Sequence, residues 1–97
     1  MYVAVRKYQT ASGAAEEGLR RVEEGFVPII SQAPGFVAYY AVNAGNDVVV
    51  SVSVFEDQAA ADESNRMAAN WVKQNLAALV PAPPEITAGE ATIYKTK

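Results

Sequence analysis

The sequence predicts an α+β fold in which a four-stranded antiparallel sheet carries two helices on one face. Four runs, at 2–9, 36–44, 47–55 and about 86–95, alternate with a period of two. Two longer stretches, at 13–32 and 57–80, repeat apolar residues at the helical period. Their order is β-α-β-β-α-β, which with right-handed crossovers gives the ferredoxin-like arrangement. No internal repeat, low-complexity tract or change of composition divides the 97 residues, so a single domain over 1–97 is expected.

In the first strand Val3 and Val5 point one way, and Tyr2, Ala4, Arg6 and Tyr8 the other. Ser12 is placed to cap the first helix. Stepping about 100° per residue puts Ala14, Gly18, Leu19, Val22, Phe26, Ile29 and Ile30 in one apolar arc, with Glu16–Arg20 and Glu17–Arg21 paired opposite. Pro28 removes one backbone hydrogen bond, so a bend near Gly25–Pro28 is expected, and Pro34-Gly35 ends the helix. Gly45-Asn46 between two alternating runs predicts a hairpin. Asp57 caps the second helix, and Pro81–Pro84 stops it. Val48, Val50, Val52 and Val54 make one face of the third strand all valine. That face, with Val3 and Val5, is expected to lie under the helices. The opposite face, with Tyr2, Arg6, Tyr8, Ser51, Ser53, Phe55 and Tyr94, would then be bare and would pair with a second copy of the chain.

Composition narrows the chemistry. Eighteen Ala and 13 Val against 3 Leu, 4 Ile, 3 Phe and 1 Trp make a core thin in volume, which favours self-association. The chain has no Cys and no His, so disulfides, thiolate chemistry and the commonest base and metal ligand are excluded. No metal site and no cofactor are expected. Net charge −3 argues against a nucleic-acid partner. No apolar run approaches the roughly 20 residues of a membrane span, and the absence of an apolar leader ahead of Arg6 and Lys7 points to the cytoplasm.

The second helix carries the candidate site. Ser64 and Asn75 fall inside its apolar arc and flank Trp71. A polar group on a buried face costs roughly 1–3 kcal/mol unless it is partnered. A ligand could supply the partner, in a pocket walled by Phe26 and Met67 with room left by Gly18 and Gly25. Ser64, Trp71, Asn75, Phe26 and Met67 are therefore the candidate substrate-binding residues, and no catalytic residue is assigned. The alternative is structural: Ser64 bonds back to the carbonyl of Ala60, Asn75 bonds nearby backbone, Trp71 is core, and the glycines allow close packing. Arg6 has two readings as well, as partner of a carboxylate across a dimer interface or as the group that neutralises an acidic ligand.

The string PGF after the first helix, VSVSVFED at the end of the hairpin and the S-x6-W spacing from Ser64 to Trp71 resemble the antibiotic-biosynthesis monooxygenase family over about 2–94. That resemblance implies a dimer whose two sheets close into an α+β barrel. It also implies a pocket between each sheet and its own helices. Some members oxidise aromatic polyketides without metal or flavin, the substrate carbanion activating oxygen; others degrade haem with a His, which this chain lacks. The polyketide oxygenases use a Trp with an Asn one turn earlier. Trp71 matches the Trp, but Met67 stands one turn earlier and Asn75 one turn later. Two readings follow: cofactor-independent oxygenation of a small aromatic quinol- or polyketide-like substrate, or a non-catalytic, small-ligand-binding or stress-associated dimer on the same fold.

Overall fold

The computed structural model describes residues 1–97. Its elements are β1 (Tyr2–Gln9), α1 (Ala15–Arg21), a π-helical turn (Val22–Phe26), α2 (Val27–Ile30), β2 (Phe36–Gly45), β3 (Val48–Phe55), α3 (Gln58–Asn75) and β4 (Glu85–Glu90). All pairings are antiparallel and the strand order is β2-β3-β1-β4, the expected ferredoxin-like topology. No helix is long and apolar enough to cross a membrane.

The hairpin turn is Asn46-Asp47, one residue later than expected. Both residues have positive φ, 53° and 62°, as a two-residue turn with the hairpin's right-handed twist requires. Asp47 also anchors the neighbouring loop. Its carbonyl accepts from Thr10 N at 2.8 Å and its carboxylate from Gly13 N at 3.0 Å. Ser12 does not cap α1: the N-cap is Ala14, with no side-chain bond. Asp57 caps α3 as expected, its carboxylate accepting from Ala60 N at 2.9 Å. That helix stops at Asn75 rather than near 80, and residues 76–80 turn back so that Leu79 O accepts from Ala11 N at 2.8 Å. β4 ends at Glu90, which leaves Tyr94 beyond the sheet.

Pro28 is accommodated by winding rather than by a break. Residues 22–26 form one wide π turn, closed by Val27 N donating to Val22 O. The irregularity thus precedes the proline, and the helical path runs on to Ile30.

The helices cover the face opposite to the one the valine pattern indicated. Ala4, Arg6, Tyr8, Ser51, Ser53 and Phe55 are all buried beneath them, and Ser53 is fully inaccessible. Val3, Val5, Val50, Val52 and Val54 are half-buried on the uncovered side. Two physical reasons account for the reversal. Aromatic side chains bridge the space between sheet and helices where short valines leave it open: Phe26, Ile30, Phe55, Ala61 and Ala68 form the core, with Phe36, Tyr39 and Trp71 packed against it. The polar groups on that face, for their part, satisfy one another, so their burial leaves no donor or acceptor orphaned.

A bulge at the start of β2 matters for the site. Phe36 pairs with Phe55, but Ala38, not Val37, pairs with Val54. One extra residue shifts the alternation, so Tyr39 opposes Ser53 and joins Phe36 on the helix side. Tyr40 is turned outward and is 59% exposed.

Candidate functional site

A cavity of about 40 Å³ lies between the sheet and the helices. Its apolar wall comes from Leu19 and Val22 of α1 and the π turn, from Phe26, and from Val72 and Leu76 at the end of α3. Its polar end is formed by Arg6, Tyr8, Tyr39 and Ser51. Register dictates this grouping: Arg6 of β1 pairs with Ser51 of β3, and Tyr39, displaced by the bulge, stands opposite Ser53.

Arg6 is 1% exposed. Its Nε donates to Ser51 Oγ at 3.0 Å, its Nη1 to Asn65 Oδ1 at 2.5 Å, and its Nη2 to Ser53 Oγ. Every acceptor is neutral. None of the ion pairs in the chain involves Arg6, and no Asp or Glu lines the cavity. Removing a guanidinium from water costs several kcal/mol, and buried charges are ordinarily paired. This one is hydrogen-bonded but has no counter-charge. The readings of Arg6 therefore narrow, because it faces the helices and cannot meet a carboxylate across a dimer interface on the open face.

Tyr8 and Tyr39 are phenols whose ionisation is pushed up by burial, an effect that outweighs the pull of the nearby Arg6 charge. Both hydroxyls are therefore neutral at physiological pH and able to donate. With the serine hydroxyls they give the polar end of the cavity a donor-rich, positively charged character.

The structure separates the residues singled out on α3. Ser64 is buried and its hydroxyl donates to Ala61 O at 2.7 Å. Asn75 is exposed and its Nδ2 donates to Trp71 O at 2.9 Å. Both bonds return to the helix's own backbone. Trp71 is half-buried and packs on Phe26, ring centroids 5.5 Å apart, and against Gly25. Met67 borders a shallow groove with Ile29, Ala60 and Glu63. Of the five candidates only Phe26 lines the cavity, and Trp71 backs it from behind.

The two glycines diverge. A Cβ on Gly18, which lines the cavity, would meet nothing within 4 Å, whereas one on Gly25 would lie 2.8 Å from Trp71 Cζ2. Gly18 leaves open volume; Gly25 permits close packing. Pattern reading missed Tyr8, Tyr39 and Ser51 as residues lining the cavity, and it left Arg6 between two roles. The available signal was an arginine in mid-strand, flanked on its own face by Ala4 and Tyr8 and opposite a serine. No three His, Cys, Asp or Glu side chains come together in a way that could hold a metal ion.

The antibiotic biosynthesis monooxygenase family matches over residues 1–69. No curated protein matches the sequence. Among solved structures, a Nitrosomonas europaea protein of unknown function is similar with a TM-score of 0.80 at 21% identity, covering 99% of this chain and 93% of that one. A Streptomyces coelicolor monooxygenase in complex with nanaomycin D is similar with a TM-score of 0.69 at 19% identity, covering 98% and 92%. A NIPSNAP domain protein from Burkholderia xenovorans is similar at 0.67 and 19% identity, with both chains fully covered. At these identities the structures agree in fold.

Proposed function

Because the chain belongs to the antibiotic biosynthesis monooxygenase family, we propose that it is a cofactor-independent monooxygenase acting on a small aromatic, quinol- or polyketide-like substrate, and that it works as a homodimer. The observation that carries this reading is the cavity itself. It has aromatic and aliphatic walls and one polar end, at Arg6, Tyr8, Tyr39 and Ser51, suited to orient the oxygens of a ring.

The cavity offers no base. It has no carboxylate, the chain has no His, and its two phenols are held neutral. The proton must then pass to water from a substrate acidic enough to ionise when its anion is stabilised, and it is recovered when the peroxide formed with O₂ eliminates water. The resulting ring carbanion would reduce oxygen directly. A ring methylene becomes a carbonyl, one oxygen atom of O₂ enters the product, and the other leaves as water. Trp71 would contribute through Phe26, holding that wall in place, with Ser64, Asn75 and Met67 supporting the helix that carries it.

Oxygen uptake by the purified protein with a panel of hydroquinones and anthrones tests the proposal. Uptake should match product one to one. It should fall sharply in Gly18→Leu, which fills the cavity, and more modestly in Trp71→Ala. No uptake with any substrate, despite measurable binding, would favour the second reading, a ligand-binding dimer without catalysis. Two observations support that alternative: the missing base, and a volume of about 40 Å³, well below the roughly 150 Å³ of an apolar cavity that takes benzene. Either way a ring must displace side chains on entering. The wall nearest the surface is at Val72 and Val80, which with Tyr8 also border a surface cleft beside Pro81–Pro84.

A further inference from the structure

We propose that the cavity is an anion site: Arg6 takes, as its missing counter-charge, an anionic oxygen on an aromatic ligand, with the ring against Phe26 and the aliphatic wall. The inference rests on the cavity being a ligand site, as above, and not on catalysis.

A guanidinium has five N–H donors, and the bonds to Ser51, Asn65 and Ser53 use three. Two remain beyond those bonds, and their neighbours are the hydroxyls of Tyr8 and Tyr39, neutral acceptors that a ligand's anionic oxygen would displace. Ser51 and Ser53 accept from Arg6 through their oxygens, which leaves their hydroxyl protons to donate, that of Ser51 toward Tyr39. The polar end thus combines a full positive charge and several neutral donors with no negative group. An arginine retained solely for structure would be expected to have a carboxylate beside it. Here the residue in the position to supply one, on α3, is Asn65. Burial raises the worth of each contact, because a charge-assisted bond in a dry cavity is stronger than the same bond in water. The opposite wall is apolar, which selects a flat, largely hydrocarbon body. The shared chemistry is a ring bearing one ionised oxygen, whose source is either a carboxylic acid or an acidic phenol.

Calorimetric titration of the wild-type protein with 1-naphthoate and with its neutral isostere 1-naphthamide tests the charge preference without any variant. A parallel titration with 4-nitrophenol, below its own pKa, reports a phenolate by the appearance of the anion's absorption band. The carboxylate should bind about ten- to a hundredfold more tightly than the amide, or the bound nitrophenol should be ionised. Which arm shows the larger effect identifies the source. Asn65→Asp places a carboxylate on Nη1 within the protein and should abolish the preference in both arms. Equal binding of naphthoate and naphthamide together with un-ionised nitrophenol overturns the proposal. So does a preference that survives Asn65→Asp, since the anion would then sit elsewhere. Loss of oxygen uptake with the preference intact would instead overturn the catalytic reading alone.

Discussion

A buried guanidinium whose acceptors are two serines and an asparagine is an unusual thing for a small domain to keep. Its charge is stabilised by dipoles alone, so the cheapest improvement to the fold is to give it an anion. Asn65→Asp does this without changing shape. We expect it to raise stability by about 1–3 kcal/mol at neutral pH. The new carboxyl would have its folded pKa depressed by Arg6 below the unfolded value of about 3.9. The gain is therefore present in full above that value and disappears as pH falls through the depressed one. Denaturant titrations at pH 7 and pH 3 measure it, and a variant less stable than wild type at pH 7 would show that Arg6 is already electrostatically satisfied. The glycines give a second residue-scale contrast. Gly18→Ala adds a methyl to empty space on a helix and should stabilise by about 0.5–1 kcal/mol while weakening ligand binding. Gly25→Ala drives a methyl into Trp71 Cζ2, 2.8 Å away, and should destabilise by about 1–3 kcal/mol despite the same gain in helix propensity. From the sequence these two positions look alike, since both fall at the edge of one helical stripe. What distinguishes them is the neighbour across the gap, and that is a tertiary fact. Ser64 and Asn75 teach the same lesson in reverse: their polarity in an apolar arc was visible, but a backbone carbonyl one turn back absorbs it.

At the scale of elements, order and the Asp57 cap were legible, whereas the start of the first helix and the facing of the sheet were not. The alternation of β3, the Asp57 cap and the paired stripes all follow from local periodicity, and the structure has them. Hydrophobicity alone makes the valine side of β1 and β3 the inner one, whereas bulk and mutual satisfaction of the polar groups decide which side is buried. Arg6, Ser51 and Ser53 look like surface residues singly and become core residues together. Tyr39 was hidden by the bulge at Val37, since strict alternation from Phe36 places Tyr40, not Tyr39, on the helix side. The first helix carries a prediction of its own. Glu17 accepts from Arg20 and from Arg21, at 2.5 and 2.7 Å on Oε2, while Arg20 also pairs with Glu24 at 2.7 Å instead of with Glu16. Those bonds hold the Glu17 carboxyl down at about 2, against an ordinary 4.5. Its contribution to stability is therefore present above about pH 4.5 and is lost as pH falls toward about 2. Lying at the surface, the cluster is weak and screened by salt. Glu17→Gln should flatten the acid limb of a thermal-melt series at low ionic strength, and the difference should vanish in molar salt. An unchanged acid limb would mean the cluster does not persist in solution.

The molecule as a whole leaves one side of its sheet unfinished. With the helices on the Arg6 side, Val3, Val5, Val50, Val52 and Val54 form a β-branched surface only half-buried within the chain, continued by Tyr40 and Val42, which are 59% and 48% exposed. Such a surface resembles the inner face of a two-sheet packing, in which side chains interdigitate across a layer about 10 Å thick. Ile93 and Tyr94, beyond β4, are 92% and 65% exposed and add apolar area for a partner to cover. This valine face is more apolar than the mixed face beneath the helices and offers a second copy of the chain the larger apolar surface. Val52 is central: it pairs with Val5 on one side and Tyr40 on the other. In a two-fold dimer, Val52→Lys brings two like charges into one apolar layer, because a self-complementary interface repeats every change. Wild type should sediment at micromolar concentration with about twice the chain mass, Val52→Lys with the mass of one chain, and Gln74→Lys on the outer surface of α3 like wild type. Because the cavity lies on the other side of the sheet, monomeric Val52→Lys should still bind a ligand with the wild-type preference for an anion. A wild-type monomer, or a Val52→Lys variant that remains dimeric, would mean that the valine face is not where the copies meet.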